Sequence, residues 1–259
     1  MNGIQIQNLR KTYGDVTALD GVSLTLERGR IYGLLGRNGA GKTTLLNAIT
    51  NRIFADSGEI LVDGLPAKEN DAAQNLVYMM SEHTLYPANM RIRDVFKWTS
   101  TFYNGNFDMD YAEKLCQEFT LNPQKKVKQL STGYGSIFKI ITALSLKVPY
   151  LLLDEPVLGL DANHRDLLYK TILENYAAQP RTIVISTHLI EEVSSLIEEV
   201  IIIKSGRIIQ QAPSEKLLSQ GHTVTGPAAV VDAYVAGKEV IGQDVLGGLK
   251  TAYVMGEVN

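Results

Sequence analysis

Cysteine is nearly absent. Cys116 is the only one in 259 residues, which excludes an intrachain disulfide and fits a reducing compartment. Long apolar runs are absent too: none reaches the ~18 residues of a membrane-spanning helix, so those around Leu151 and Ile201 read as core strands. The opening Met-Asn-Gly-Ile-Gln-Ile-Gln lacks the charged-then-apolar order of a secretion signal. Neither sign of charge dominates. With 25 basic and 28 acidic residues the net charge is −3, which leaves no basic sheath for nucleic acid. No internal repeat or low-complexity tract interrupts the chain. What is present, 45% hydrophobic and 20% charged residues, suits one large globular domain with or without an appendage.

Strand-like runs open the chain at Ile4–Ile6, Ser23–Leu26 and Ile31–Leu35, with Gly14, Gly21 and Gly29 as breaks. A helix is expected over Thr44–Ile49, and strands at Glu59–Val62 and Leu76–Met80. From about Ser81 to Val148 tyrosine, phenylalanine and charge recur, with helical spacing in Val95, Phe96, Thr99, Phe102 and again in Tyr111, Leu115, Phe119, which reads as a helical insertion. Tyr150–Leu153 and Thr182–Ile185 are unbroken apolar runs, as in parallel strands covered on both faces. Helices at Arg165–Tyr176 and Ile190–Ile197 alternate with them, so the class is α/β. Glu191, Glu192, Glu198 and Glu199 read as the wet face of a helix. The expected division is 1–214, with a helical subdomain at about 82–147, and a small α+β appendage at 215–259. In that appendage Pro227–Ala236 suggests a short helix and Lys238–Ile241 and Thr251–Val254 short strands, forming a separate layer without a chemical motif.

The segment Gly36-Arg37-Asn38-Gly39-Ala40-Gly41-Lys42-Thr43 matches the phosphate-binding loop pattern G-x-x-x-x-G-K-[ST]. Glycines let backbone N–H groups approach phosphate oxygens, and the helix beginning there turns its positive end to the same anion. Lys42 would reach the β- and γ-phosphates, Thr43 would ligate Mg²⁺, and Thr44 continues the nucleotide-contacting run. A strand precedes the loop and a helix follows it, so the chain is expected to bind a nucleoside triphosphate. Asp154 and Glu155 end an apolar strand, where buried acids need a cation or a proton. Asp154 suits Mg²⁺, and Glu155 suits activation of a water. His188 ends another strand of the same sheet, where the γ-phosphate would lie.

These motifs, in this order, resemble the nucleotide-binding subunit of ATP-binding-cassette (ABC) transporters over roughly residues 4 to 215. The resemblance makes the fold a P-loop NTPase of ABC type, a mixed-sheet core with an inserted helical subdomain. Tyr13 resembles the aromatic that stacks on adenine. Leu130-Ser131-Thr132-Gly133-Tyr134 looks like the signature motif, Gly159-Leu160-Asp161 like the D-loop, and Ser186-Thr187-His188 like the switch histidine. The family pairs head to tail, which implies that Ser131 and Gly133 contact the partner's γ-phosphate and that Asp161 lies across the interface. Two departures stand out. Thr132 and Tyr134 replace the family's glycine and glutamine, and Ser81, followed by Glu82, falls where the Q-loop glutamine would touch Mg²⁺.

The resemblance implies an ATPase, with ATP and Mg²⁺ as cofactors. Glu155 would be the general base, His188 would orient the water, and Lys42 would stabilise the transferred group. The partners implied are separate transmembrane permease subunits and a second ATPase subunit, in a homodimer or a heterodimer. The chain would then sit in the cytoplasm, peripheral on the inner face of the cell membrane. A short cassette with a small tail resembles exporters more than importers. Two alternatives stay open: a soluble ABC-type ATPase acting on ribosomes or DNA, and a slow ATP-dependent sensory module. Trp98, Phe102 and Tyr103 read either as core of the helical segment or as a groove for a membrane partner.

Overall fold

The computed structural model describes residues 3–188, 193, 195–219, 221–238 and 240–256. Two long antiparallel strands, β1 (Gly3–Tyr13) and β2 (Val16–Glu27), pair with β4 (Ser57–Val62) and β5 (Leu65–Pro66) in the order β2-β1-β4-β5. A second sheet holds β3 (Ile31–Leu35), β6 (Val77–Met80), β7 (Tyr150–Asp154), β8 (Thr182–Thr187), β9 (Glu199–Lys204) and β10 (Arg207–Pro213), in the order β10-β9-β3-β8-β7-β6. Neighbours are parallel from β9 through β6, and only β10 runs against its neighbour.

Helix α1 (Lys42–Ile49) lies between the two sheets. Period-2 alternation divides the strand side chains between two cores. Tyr150 and Leu152 join Leu45, Leu46 and Ile49 of α1 and the inner face of β1, while Leu151 and Leu153 face the other way. That opposite core is closed by α3 (Ile92–Phe102), α4 (Met109–Glu118), α5 (Thr132–Ser145) and α6 (Ala162–Ala178); the four-residue α2 (Asp71–Gln74) precedes them. Ile92, Val95, Phe96 and Thr99 bury one stripe of α3 at the expected i, i+3, i+4, i+7 spacing. Helix α5 is buried from Ser136 to Ser145.

The C-terminal segment differs from expectation. A helix, α7 (Ser214–Ser219), and a strand, β11 (Gly221–Pro227), precede the anticipated helix, here α8 (Ala228–Val235), and strands β12 (Val240–Leu246) and β13 (Leu249–Met255). The layer is not separate. Val231 and Val254 form its own small core, but Tyr253, on the opposite face of β13, is buried in the large core. A cleft of about 630 Å³ runs between this layer and the outer wall of the loop Gly36–Ala40. The helix expected at Ile190–Ile197, with Glu191 and Glu192, lies largely outside the described residues. Glu198 and Glu199 do not sit on a helix face: Glu198 accepts a hydrogen bond from the Tyr176 hydroxyl at 2.9 Å, and Glu199 opens β9. Among the described residues no helix is long and apolar enough to cross a membrane.

Candidate functional site

The loop Gly36–Gly41 leaves the C-terminal end of β3 and enters α1, so its curvature is set by what fits beneath it. Gly41 caps α1 with φ 110°, and a Cβ there would stand 2.5 Å from the carbonyl oxygen of Ala18. Only glycine accepts both demands. The Lys42 ammonium folds back along the loop, donating to the Gly36 carbonyl at 2.7 Å, and lies 3.4 Å from a Glu155 oxygen. Thr43 Oγ1 donates to Asp154 Oδ2 at 2.7 Å.

Strand order brings the acids and the histidine to this loop. Strands β3, β8 and β7 are parallel neighbours, so the residues that follow them share one sheet edge. Glu155 follows β7 with φ 47°, a left-handed conformation that a non-glycine residue holds only when its surroundings impose it. Here the Glu155 N–H donates to the Ser186 carbonyl at 2.9 Å, which fixes the turn. The side chain then meets His188 Nδ1, 3.2 Å from both carboxylate oxygens. Lys42, Glu155 and His188 thus form one chain of contacts.

Asp154 is 2% exposed, and its Oδ1 has no hydrogen-bond partner; the same holds for Ser186 Oγ, on the residue paired with Asp154 across the sheet. Two orphaned buried oxygens beside a Thr–Asp pair suit a hard cation with oxygen ligands. Among the described residues no cluster of three or more His, Cys, Asp or Glu forms a metal cage. The Thr43 hydroxyl and the buried Asp154 carboxylate are oxygen donors that fit Mg²⁺, an ion that takes one or two protein oxygens and completes its shell with water and phosphate.

Other expected site residues lie apart from this cluster. Tyr13 ends β1 with its ring exposed and the Lys11 ammonium 5.3 Å from its centroid. The Ser81 hydroxyl turns to the carbonyl of His83 at 3.0 Å and not toward Thr43 or Asp154. Ser131 caps α5, accepting from the Tyr134 N–H, and Gly133 packs against the loop at Gly159. Asp161 caps α6, accepting from the His164 N–H at 2.9 Å, and these bonds hold its carboxyl below the usual range. Ser131, Gly133 and Asp161 thus do not join Lys42 within one chain.

Two buried cations escaped the sequence reading. Lys139 on α5 donates to the Ser81 carbonyl at 2.9 Å and to that of Glu82. Arg181 donates to the carbonyls of Leu144 (3.1 Å) and Leu146 at the end of α5 and to Asn175 Oδ1, and burial lowers its pKa to about 10. A visible signal existed for Lys139, which stands inside the apolar run Ile137–Leu144.

A family model described as "ABC transporter" matches residues 19–158. The chain is 34% identical over 196 residues to the ABC transporter ATP-binding protein YtrB of Bacillus subtilis (strain 168), an alignment covering 74% of this chain and 66% of YtrB. It is 32% identical over 248 residues to the ribose import ATP-binding protein RbsA of Ruegeria sp. (strain TM1040), covering 92% and 46%. It is 31% identical over 222 residues to the linearmycin resistance ATP-binding protein LnrL of B. subtilis (strain 168), covering 84% and 71%. The chain therefore spans less than two thirds of YtrB and under half of RbsA. Among solved structures, an ATP-binding subunit of an ABC transporter superposes with a TM-score of 0.75 at 22% identity, over 84% of this chain and 92% of that one.

Proposed function

Because this chain belongs to the ABC transporter family, we propose that it binds and hydrolyses ATP to drive transport through separate membrane subunits. The observation that carries the reading is the Lys42–Glu155–His188 chain beside the Thr43–Asp154 pair, on one edge of a parallel sheet.

In this reading the backbone amides of Gly39–Thr44 cradle the phosphates, with Arg37 and Asn38 at the mouth and Tyr13 against the base. Lys42 moves from Glu155 onto the β- and γ-phosphate oxygens. Glu155 accepts a proton from water as the water oxygen bonds to the γ-phosphorus and the bridge to the β-phosphate breaks, giving ADP and phosphate. His188, held to Glu155 by its Nδ1, orients carboxylate and water together. Thr43 and Asp154 would hold Mg²⁺, which would neutralise charge on the phosphates, while the Ser81 hydroxyl, bonded to the His83 carbonyl, stands outside that set.

Ser131 and Gly133 sit at the N-terminus of α5, where free N–H groups favour an anion, and the lack of contact with Lys42 supports their serving a second subunit's nucleotide. Asp161 would lie across that interface. Trp98 and Phe102 are exposed on α3 with their rings 4.6 Å apart, and Leu85 is exposed in the preceding loop. We read this apolar patch as the seat of the membrane subunits, which places the chain peripherally on the inner face of the membrane. Export is the direction we favour, on the likeness to a relative named for linearmycin resistance; a relative named for ribose import matches as well.

The test is ATP hydrolysis against protein concentration for the native chain and Glu155→Gln, with isolation from membranes alongside. A rate rising faster than linearly, collapsing in the variant, and co-isolation with membrane subunits are expected. ATP binding without hydrolysis in the presence of those subunits would overturn the catalytic reading. Recovery with ribosomes or DNA would overturn the transport reading.

A further inference from the structure

Helix α5 carries one charge where it should carry none. From Ile137 to Leu144 its side chains are apolar except Lys139 and Thr142, and Lys139 is 7% exposed. An ammonium in such a place is expensive unless its N–H groups find acceptors. Burial does depress its pKa, opposed only by the nearby Glu82 carboxylate. Among the described residues no ion pair holds it. Its acceptors are two consecutive main-chain carbonyls, Ser81 and Glu82, in the turn that leaves β6.

That turn matters because of its address. Strand β6 is the parallel neighbour of β7, so Ser81 leaves the sheet at the same edge as Asp154 and Glu155, one strand away. On the side of α5 the turn borders an open space. A cavity of about 290 Å³ lies there, lined by Glu82, His83 and Thr84 on one side and Leu130, Ser131 and Gly135 on the other. Tyr86 anchors the far end of the loop, its ring 5.5 Å from that of Phe138. Among the described residues, the side-chain hydrogen bonds from α5 to the Ser81–Glu82 turn come from the Lys139 ammonium.

The helix that supplies this tie touches a second part of the site. Ser136 Oγ donates to the Leu158 carbonyl at 2.8 Å, in the loop three residues beyond Glu155. A displacement of α5 is therefore felt at both loops that border Glu155.

We propose that Lys139 is a positioning residue: its ammonium clamps the Ser81–Glu82 turn to α5, so that turn and helix move as one body when nucleotide binds. Ser81 has too short a side chain to reach Thr43 and Asp154, and its hydroxyl is committed to His83. The coupling runs through the main chain of the turn, and the lysine is what grips it.

The inference rests on the ATPase reading above, and its test separates the two. Hydrolysis and ATP affinity are measured on the full chain for native protein, Glu155→Gln, Lys139→Met and Lys139→Arg. Amide hydrogen exchange at residues 81–84 and in the first turn of α5 is followed with and without Mg²⁺–ATP. In Lys139→Met, kcat should fall by about tenfold or more while KM and ATP affinity stay within about twofold, and Arg should restore most of the rate. Exchange at 81–84 should rise about tenfold in Met and lose its response to ATP, while α5 keeps its own. Native kcat in Lys139→Met, or equal losses of rate and affinity that Arg does not restore, would overturn the proposal. Should Lys139→Met fail to fold, native exchange decides: protection at 81–84 and α5 must change together with ATP, and independent change overturns the clamp. No hydrolysis by native chain at any concentration would instead sink the ATPase reading, and the exchange arms would still judge the clamp.

Discussion

Two glycines two residues apart on α5 should respond to alanine in opposite directions. At Gly133 an added Cβ would stand 2.6 Å from the Gly159 carbonyl oxygen, whereas at Gly135 it meets nothing within 4 Å. Neither glycine has a positive φ, so backbone strain plays no part and the contrast is one of space. At Gly135 alanine only removes the flexibility of glycine in a helix, a gain of about 0.5–1 kcal/mol. At Gly133 the same gain is opposed by overpacking, typically ~1–3 kcal/mol where close-packed atoms must move. The Gly159 loop gives way poorly, because Ser136 holds Leu158, and Leu160 N–H donates to the Val157 carbonyl at 3.0 Å. Gly133→Ala should therefore lie about 1–3 kcal/mol below Gly135→Ala. At ~2–4 °C per kcal/mol for a chain of this size, thermal unfolding midpoints should differ by about 2–12 °C, with Gly135→Ala at or above native. A Gly133→Ala midpoint equal to or above that of Gly135→Ala would refute the close approach of α5 to the Gly159 loop.

Alkali should destabilise the protein through its buried thiol and phenols, where exposed groups would leave stability unchanged. Burial pushes the Cys116 thiol from 9.0 up to about 11, and Tyr32 and Tyr103 from 10.0 up to about 12. Raised folded values mean full stability below the unfolded pKa and progressive loss as pH climbs through the folded one, so unfolding midpoints should fall between about pH 9 and 12. A flat profile there would count against this burial. Cys116 should also resist a thiol reagent at pH 8 until the chain unfolds, and native labelling as fast as free cysteine would show the core open. Arg181→Met should lower stability by about 2–4 kcal/mol in urea unfolding by orphaning the Leu146 carbonyl and Asn175 Oδ1, while the Leu144 carbonyl keeps the Asn175 amide; a loss under ~0.5 kcal/mol would mean the orphaned oxygens find other donors. Asp154→Asn should weaken Mg²⁺–ATP binding more than binding of ATP in EDTA, and equal losses in titration calorimetry would refute its role as ligand.

The parts of this fold that sequence made visible are those where chemistry and pattern coincide. The phosphate loop is written in glycines that only a cramped backbone needs, and β7 and β8 are written as apolar runs that end in ionisable residues. Glu155 and His188 could be placed on one edge because parallel neighbours must finish together. What stayed hidden depended on contacts distant in sequence. Tyr253 reads as one more residue of a short strand, yet it fills the main core from the far face of β13. Asn175 and Arg181 look like surface residues, but together they meet the end of a helix some 30 residues earlier in the chain. Strand β11 escaped because Val224 is its one aliphatic side chain between glycines, threonines and a histidine, too little apolar area to announce a strand.

The placement of buried charge suggests why α5 is so thoroughly enclosed. Its first residue is capped by Ser131 and its first turn rests on the Leu158–Gly159 loop. Lys139 secures the Ser81 turn from its middle, and the guanidinium of Arg181 meets the carbonyls at its end, the terminus whose dipole favours a cation. An apolar face alone would hold such a helix, but packing is indifferent to small slides along the axis. Directional bonds at the start, middle and end are not. A helix fastened at three points along some 20 Å, at ~1.5 Å per residue, must tilt or shift as one piece. Its N-terminal turn and the Ser81 turn then report one movement, although Ser131 and Ser81 are 50 positions apart in sequence.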